Sequence, residues 1–313
     1  MKQVLISGAA GFIGSHLCDK FLEEGFYVVG LDNFITGSPK NIEHLLERKK
    51  FEFIKHDITL PIKFHSKKID LVLHFACPAS PVDYLKFPLE TMKVNSIGTL
   101  NMLEIAKKYN SKYIFASTSE VYGDPTVHPQ TESYLGNVNP VGPRSVYDES
   151  KRFSEAISMS YFREYGLDTR IIRIFNTYGP RMKANDGRVV PNFITQALNM
   201  DNITVYGNGN QTRSFCYISD LIDGIFKITS ADNLKGEIMN LGNPEEYNIL
   251  DLAKIIIEKT SSKSQIIFKA LPEDDPKQRC PEITKIKKLT KWQPETSLKE
   301  GIDLTIDYFK NHI

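Results

Sequence analysis

The chain has 313 residues, 41% of them hydrophobic, which is enough to bury a substantial core in one large domain or two interlocked ones. Its 39 Lys and Arg nearly cancel its 38 Asp and Glu. With no basic block interleaved with aromatics, that balance excludes the electrostatic footprint of a nucleic-acid or membrane-surface binder and points to small-molecule partners.

In chain order, "QVLISG" (3–8) reads as a strand and 12–24 as a helix, followed by strands "YVVGLD" (27–32), "FEFIKHD" (51–57) and "DLVLHFA" (70–76), a helix over 89–109, and the strand "KYIFAS" (112–117). Apolar strands separated by helices predict an α/β fold, a doubly wound parallel sheet of Rossmann type that binds ligands at its strand C-terminal edge. After "DTRIIRIFNTYGP" (168–180) the pattern loosens through "YGNGNQT" and the proline- and acid-rich "LPEDDPKQRCPE". The expected division is a dinucleotide-binding domain over 1–175 and a smaller mixed α/β C-terminal substrate lobe over 176–313, with some crossover of chain between them.

Four cysteines, Cys18, Cys77, Cys216 and Cys280, stand apart without a CxxC pair, which suits reduced thiols rather than zinc or disulfides. The histidines form no HExxH or clustered set, so no metal is expected. A strand begins almost at Met1 and no apolar run approaches about 20 residues, so the expected location is the cytoplasm.

Directly after the first strand, Gly8, Gly11, Phe12, Ile13 and Gly14 set a GxxGxxG spacing at the opening of a helix. Glycines there allow a tight turn and a close approach to a pyrophosphate, whose charge meets backbone amides and the positive end of the helix dipole. Asp32, closing the second strand ahead of Asn33 and Phe34, is expected to accept from the adenosine ribose and to repel a 2′-phosphate, favouring NAD over NADP. Asp57 and Ile58 are expected at the adenine edge, and Phe75, Ala76 and Cys77 beside the cofactor's phosphates and ribose.

Tyr147 and Lys151, four apart at the start of a helical run, project from one helix face. With Thr118 at the end of the fifth strand they suggest hydride-transfer chemistry, in which the ammonium lowers the phenol's pKa and Thr118 shares the substrate hydroxyl proton.

"GAAGFIGSHL", "STSEVYGDP", "YDESK" and "RIFNTYGPRM" together resemble the extended short-chain dehydrogenase/reductase (NAD-dependent epimerase/dehydratase) family of nucleotide-sugar enzymes over essentially the whole chain. "HPQTESYLGNVNPVGPRSVYDESKR", "NDGRVVPNFITQAL" and "PEDDPKQRCPEITK" are similar to its UDP-glucuronate decarboxylase (UDP-xylose synthase) subgroup. The resemblance implies a cycle without net redox change: oxidation at C4, loss of CO2 from a 4-keto uronic acid, and return of the hydride. It gives Glu120 a role beside C5. Ser119 stands where related 4,6-dehydratases carry an aspartic acid, which disfavours dehydration. Arg213 and Arg279 match phosphate-clamping arginines, Arg279 also reaching the uronate carboxylate. Asn176 matches an amide contact to the sugar, while Tyr178 and Arg181 are expected nearer the nicotinamide. Arg188, Val189 and Tyr206 are expected to wall uracil and ribose. Lys93, Ser117 and Tyr84 are cofactor or sugar neighbours by resemblance alone. Surplus apolar surface on helical segments 95–109 and 150–165, paired in this family as a four-helix bundle, implies a homodimer. The alternatives are a nucleotide-sugar 4-epimerase, a 4,6-dehydratase, or a non-catalytic NAD-binding regulator.

Overall fold

Runs of Val, Ile and Leu set the strand content of the computed structural model, which describes residues 1–62, 66, 68–271 and 278–312. The strands are β1 (Gln3–Ser7), β2 (Tyr27–Asp32), β3 (Phe51–Lys55), β4 (Leu71–His74), β5 (Lys112–Thr118), β6 (Thr169–Ile174), β7 (Thr177–Tyr178), β8 (Ile203–Tyr206), β9 (Thr212–Ser214), β10 (Cys216–Tyr217), β11 (Ile238–Leu241), β12 (Glu246–Asn248), β13 (Ile266–Lys269) and β14 (Gln278–Arg279). The helices are α1 (Phe12–Glu23), α2 (Pro81–Lys86), α3 (Pro88–Lys93), α4 (Thr99–Tyr109), α5 (Ser145–Tyr165), α6 (Val189–Leu198), α7 (Ile218–Ser230), α8 (Ile249–Thr260), α9 (Thr284–Thr290) and α10 (Leu298–His312).

Seven strands form one parallel sheet in the order β11-β6-β5-β4-β1-β2-β3. The order reverses between β1 and β4, which opens a crevice at the C-terminal edge where such sheets bind ligands. Val4 and Ile6 face one apolar layer with α1 and α7, and Leu5, Val29 and Val72 face the other with Met102 and Leu103 of α4. The parallel-sheet expectation therefore holds, with one detail that periodicity did not supply: β11, from the second half of the chain, completes the sheet beside β6.

The helix predicted over 89–109 is α3 and α4 joined by a π-helical turn, Val94–Gly98. That turn is stabilised laterally: Asn95 donates to Ser150 Oγ of α5 at 2.9 Å and to Cys77 Sγ at 3.2 Å, and its carbonyl accepts from Thr99 Oγ1. Such turns often mark functional positions, and this one braces the base of the helix that carries Tyr147. The remaining strands make small sheets, β12-β9-β14, β13-β8 and β10-β7, apart from the seven-stranded one. Residues 272–277 of the expected acid-rich run lie outside the described residues. Among the described residues no helix is long and apolar enough to cross a membrane.

Candidate active site

A cleft of about 1350 Å³ runs from the β1–α1 turn along the C-terminal ends of β4, β5 and β6 to β8, β9 and β14. At one end Gly8, Gly11, Phe12, Ile13 and Gly14 line it. A β carbon on Gly14 would sit 1.9 Å from the Gly8 carbonyl oxygen, and one on Gly8, whose φ is +76°, would sit 2.7 Å from the Phe75 backbone. The turn is thus bare backbone against bare backbone. α1 opens at Gly11 without a side-chain cap, so its first amides and positive dipole end face the cleft, a cradle that fits a pyrophosphate.

Asp32 closes β2 with Oδ2 accepting from Ala10 N at 2.9 Å and Oδ1 from Phe34 N at 2.7 Å. Burial nevertheless pushes its carboxyl above the ordinary value. Asn33 Oδ1 accepts from Ile35 N, and Phe34 leans on Phe53. Phe75 and Cys77 line the cleft, with Ala76 N between them directed at Ser7 Oγ. Thr36, Ser38, Lys40, Asn41 and His44 also line this end; the sequence reading missed them, although "TGSPKN" directly after the β2 acid is a polar turn at the place an adenosine ribose needs one.

Several expected cofactor neighbours have side chains engaged with other parts of the protein or with solvent. Asp57 closes its own turn, accepting from Thr59 N and Oγ1 at 2.9 and 2.8 Å, and Ile58 is buried in the core under Gly98. Lys93 is exposed at the end of α3, away from the cleft lining. Tyr178 lines the cleft but packs its ring into the core, edge-on to Phe215 and Tyr217, with its hydroxyl donating to the Leu298 carbonyl of α10 at 3.3 Å. Arg181 lines the cleft but reaches α1 rather than the Tyr147 region: it pairs with Asp19 at 2.6 Å, close to His44.

At the centre, Tyr147 and Lys151 lie one turn apart in the first two turns of α5, and both are buried. Lys151 Nζ donates to the Ala116 carbonyl at 2.7 Å and lies 5.8 Å from the Tyr147 ring centroid. Thr118 caps the turn after β5 by accepting from Glu120 N at 3.1 Å, and its hydroxyl is placed to hydrogen-bond the Tyr147 phenol. The expected depression of the phenol is overruled: burial pushes it well above its ordinary value, Cys77 adds to that, and Thr118 pulls only partly the other way. Burial likewise lowers Lys151. Tyr84 stacks on Tyr147, centroids 5.0 Å apart and planes 7° from parallel, with its hydroxyl buried and without a hydrogen-bond partner among the described residues. Ser117 is committed to Glu155, donating at 2.6 Å, and Glu155 in turn pairs with Arg173.

Glu120 does not face bulk solvent. Its carboxylate is gripped from opposite sides by Arg279 and Arg144, and Arg279 also points toward Ser119 Oγ at 3.4 Å. Burial alone would raise the Glu120 pKa, but the two guanidiniums outweigh it and hold the acid down at about 2. It is an ionised acceptor here, not a proton donor. Arg144 escaped the sequence reading because it sits in the loop before α5; the signal available was its position three residues ahead of the tyrosine. Asp148 escaped as well: its carboxyl is buried near Glu120, and those two effects push it up to about 8.

At the far end of the cleft, Arg213 of β9 and Arg279 of β14 are register partners in neighbouring parallel strands, so two residues distant in sequence form one cationic wall. Asn176, Arg188, Val189 and Tyr206 line the same end, with Arg188 held by Asp186 at 2.8 Å.

A family profile described as GDP-mannose 4,6 dehydratase matches residues 5–305. The chain is 48% identical to UDP-glucuronic acid decarboxylase 1 of Danio rerio over 100% of this chain and 73% of that protein. It is 48% identical to UDP-glucuronic acid decarboxylase 5 of Arabidopsis thaliana over 98% of this chain and 89% of that one. Among solved structures it is similar to UDP-glucuronic acid 4-epimerase from Bacillus cereus in complex with UDP-glucuronic acid and NAD, with a TM-score of 0.88 and 31% identity over 99% of both chains. The UDP-glucose 4-epimerase of Thermotoga maritima with UDP-glucose gives 0.87 at 29%, also over 99% of both. With the profile spanning nearly the whole chain and the decarboxylases matching it end to end, the chain belongs to the GDP-mannose 4,6 dehydratase family and, within it, to the UDP-glucuronic acid decarboxylases.

Proposed function

We propose that the protein converts UDP-glucuronate to UDP-xylose and CO2 by oxidising the sugar at C4, releasing the carboxylate of the resulting β-keto acid, and reducing C4 again. The observation that carries this reading is the cluster of Glu120, Arg144 and Arg279 in the same cleft as Tyr147 and Lys151. An epimerase acting on a neutral sugar has no use for two converging guanidiniums there, whereas a uronate brings a carboxylate that needs them.

The β1–α1 turn, Asp32 and the Phe75–Cys77 segment are the parts of this chain that would hold a dinucleotide. When bound there, NAD+ would supply a two-electron acceptor for the C4 hydride and a source of that hydride for the closing reduction. Tyr147 then takes the C4 hydroxyl proton, with Thr118 bridging phenol and substrate, and returns it in the closing step. Lys151, fixed by the Ala116 carbonyl, adds positive charge beneath the phenolate. Arg279 and Arg144 receive the substrate carboxylate. Glu120, already ionised, serves at C5 as an acceptor that orients a water, from which C5 takes its proton once CO2 has left, and it crowds the departing carboxylate with like charge. Ser119 is a poor acid, which works against eliminating water instead.

The dinucleotide is assigned to residues 1–175 and the nucleotide sugar to Arg213, Arg279, Asn176, Arg188 and Tyr206 of 176–313. A homodimer completes the reading, supported by the exposed Leu89, Met92, Ile97 and Phe153 on α3, the π turn and α5. Incubating the purified protein with NAD+ and UDP-glucuronate and following products by NMR tests the function. Carbon dioxide and a UDP-pentose are expected; a C4-inverted UDP-uronate without gas would make the protein an epimerase.

A further inference from the structure

Outside the cleft, three residues distant in sequence bring unlike donor atoms together. His128 lies in the loop between β5 and α5, Glu246 begins β12 and Cys280 follows β14, and their ligand atoms all lie within 4.8 Å of one another. His128 Nε2 is 2.8 Å from Glu246 Oε2, and the Cys280 thiol faces the same carboxylate. Imidazole, carboxylate and sulfur form a donor set that suits zinc and its borderline-soft neighbours and is poorly suited to magnesium or calcium.

The backbone around the three is fixed before any cation arrives. Gln130 N donates to the Cys280 carbonyl at 2.9 Å, Cys280 N donates to Gln130 Oε1 at 2.8 Å, and Glu282 N donates to the Gln130 carbonyl at 2.9 Å. The loop carrying His128 is therefore laced to the strand carrying Cys280. Glu246 is register partner of Ser214 in β9, whose hydroxyl donates to the Arg279 carbonyl, and its other oxygen accepts from Thr212 Oγ1 at 2.7 Å. That last bond is the outer contact that orients a ligating carboxylate. Cys280 is buried while the His128 side chain is part-exposed, so a cation could enter from the His128 side and keep solvent at a fourth position.

We propose that His128, Glu246 and Cys280 form a site for one divalent cation of the zinc class, separate from the cleft. On binding, the Cys280 S–H bond breaks and its proton passes to water, the hydrogen that His128 Nε2 shares with Glu246 moves through solvent to Nδ1, and sulfur–metal, nitrogen–metal and carboxylate–metal bonds form. The site would clip the 124–142 loop to the strand bearing Arg279.

The test titrates cobalt(II) into the full chain under a non-chelating phosphine reductant. One cobalt per chain is expected, with thiolate-to-metal charge-transfer absorption that zinc displaces. Cys280→Ser should abolish that absorption, and His128→Ala, at the part-exposed ligand, should weaken binding by at least about ten-fold, with thermal melts of the metal-free variants confirming their folds. Should Cys280→Ser fail to fold, His128→Ala and Glu246→Gln decide. Absence of the charge-transfer absorption in the unaltered chain, or binding left unchanged by any of these substitutions, would overturn the proposal.

Discussion

Burial and charge pull against each other at Tyr147, and the balance differs from one residue to the next around it. The phenol is pushed up by burial, so the proton transfer proposed for Tyr147 would depend on cationic charge collecting nearby and on Thr118 to carry the proton. Tyr147→Phe is expected to fold and to bind NAD while losing turnover by several orders of magnitude, measured as CO2 release; a near-normal rate would remove the tyrosine from its role. Glu120→Ala is expected to keep the first oxidation, visible as NADH absorbance in a single turnover, and to lose decarboxylation; equal loss of both would count against a C5-specific function. Asp148 makes a prediction about pH. Burial and the Glu120 charge push its carboxyl up from an ordinary 3.8 to about 8, so the folded state binds its proton more tightly than the unfolded one. The destabilisation grows as pH rises above 3.8 and is complete above about 8. Asp148→Asn should therefore be the more stable protein at pH 9, by about 1–3 kcal/mol in denaturant titrations, with the gap closing toward pH 5.

Elements explain which of these residues could be read beforehand. The period-2 and near-continuous apolar runs located β1, β2, β4 and β5 to within a few residues, because parallel strands buried on both faces leave little compositional choice. The glycine turn was legible for the same reason: only a missing side chain permits the Gly8–Gly14 approach. Gly14→Ala should abolish cofactor binding and depress Tm, since its β carbon lands on a backbone oxygen that cannot move aside. Calorimetric titration with NAD+ and a melting curve check both. Arg144 and Asp148 carry no local pattern, because their importance arises only when α5 packs under the β5 end. The Arg213–Arg279 wall depends on a parallel pairing between distant strands that no window of sequence contains. Asp57 and Lys93 show the converse: a plausible position in the string, and side chains committed to a turn and to solvent.

At the scale of the molecule, the boundary expected near residue 175 is crossed by the chain itself, since β11 returns to complete the sheet. The residues proposed for substrate and for cofactor are therefore carried on one continuous framework, with Arg279 of β14 pairing directly with Glu120 in the turn after β5. If two copies pair through α3, the π turn and α5, Phe153→Glu should convert a dimer to a monomer by sedimentation velocity and leave the cleft residues in place; an unchanged dimer would move the interface elsewhere. The most direct test of the whole account is the fate of deuterium placed at C4 of UDP-glucuronate. Recycling within one site predicts UDP-xylose that retains deuterium at C4, with none released to added NAD+; deuterium lost to solvent or accumulating in free NADH would contradict it.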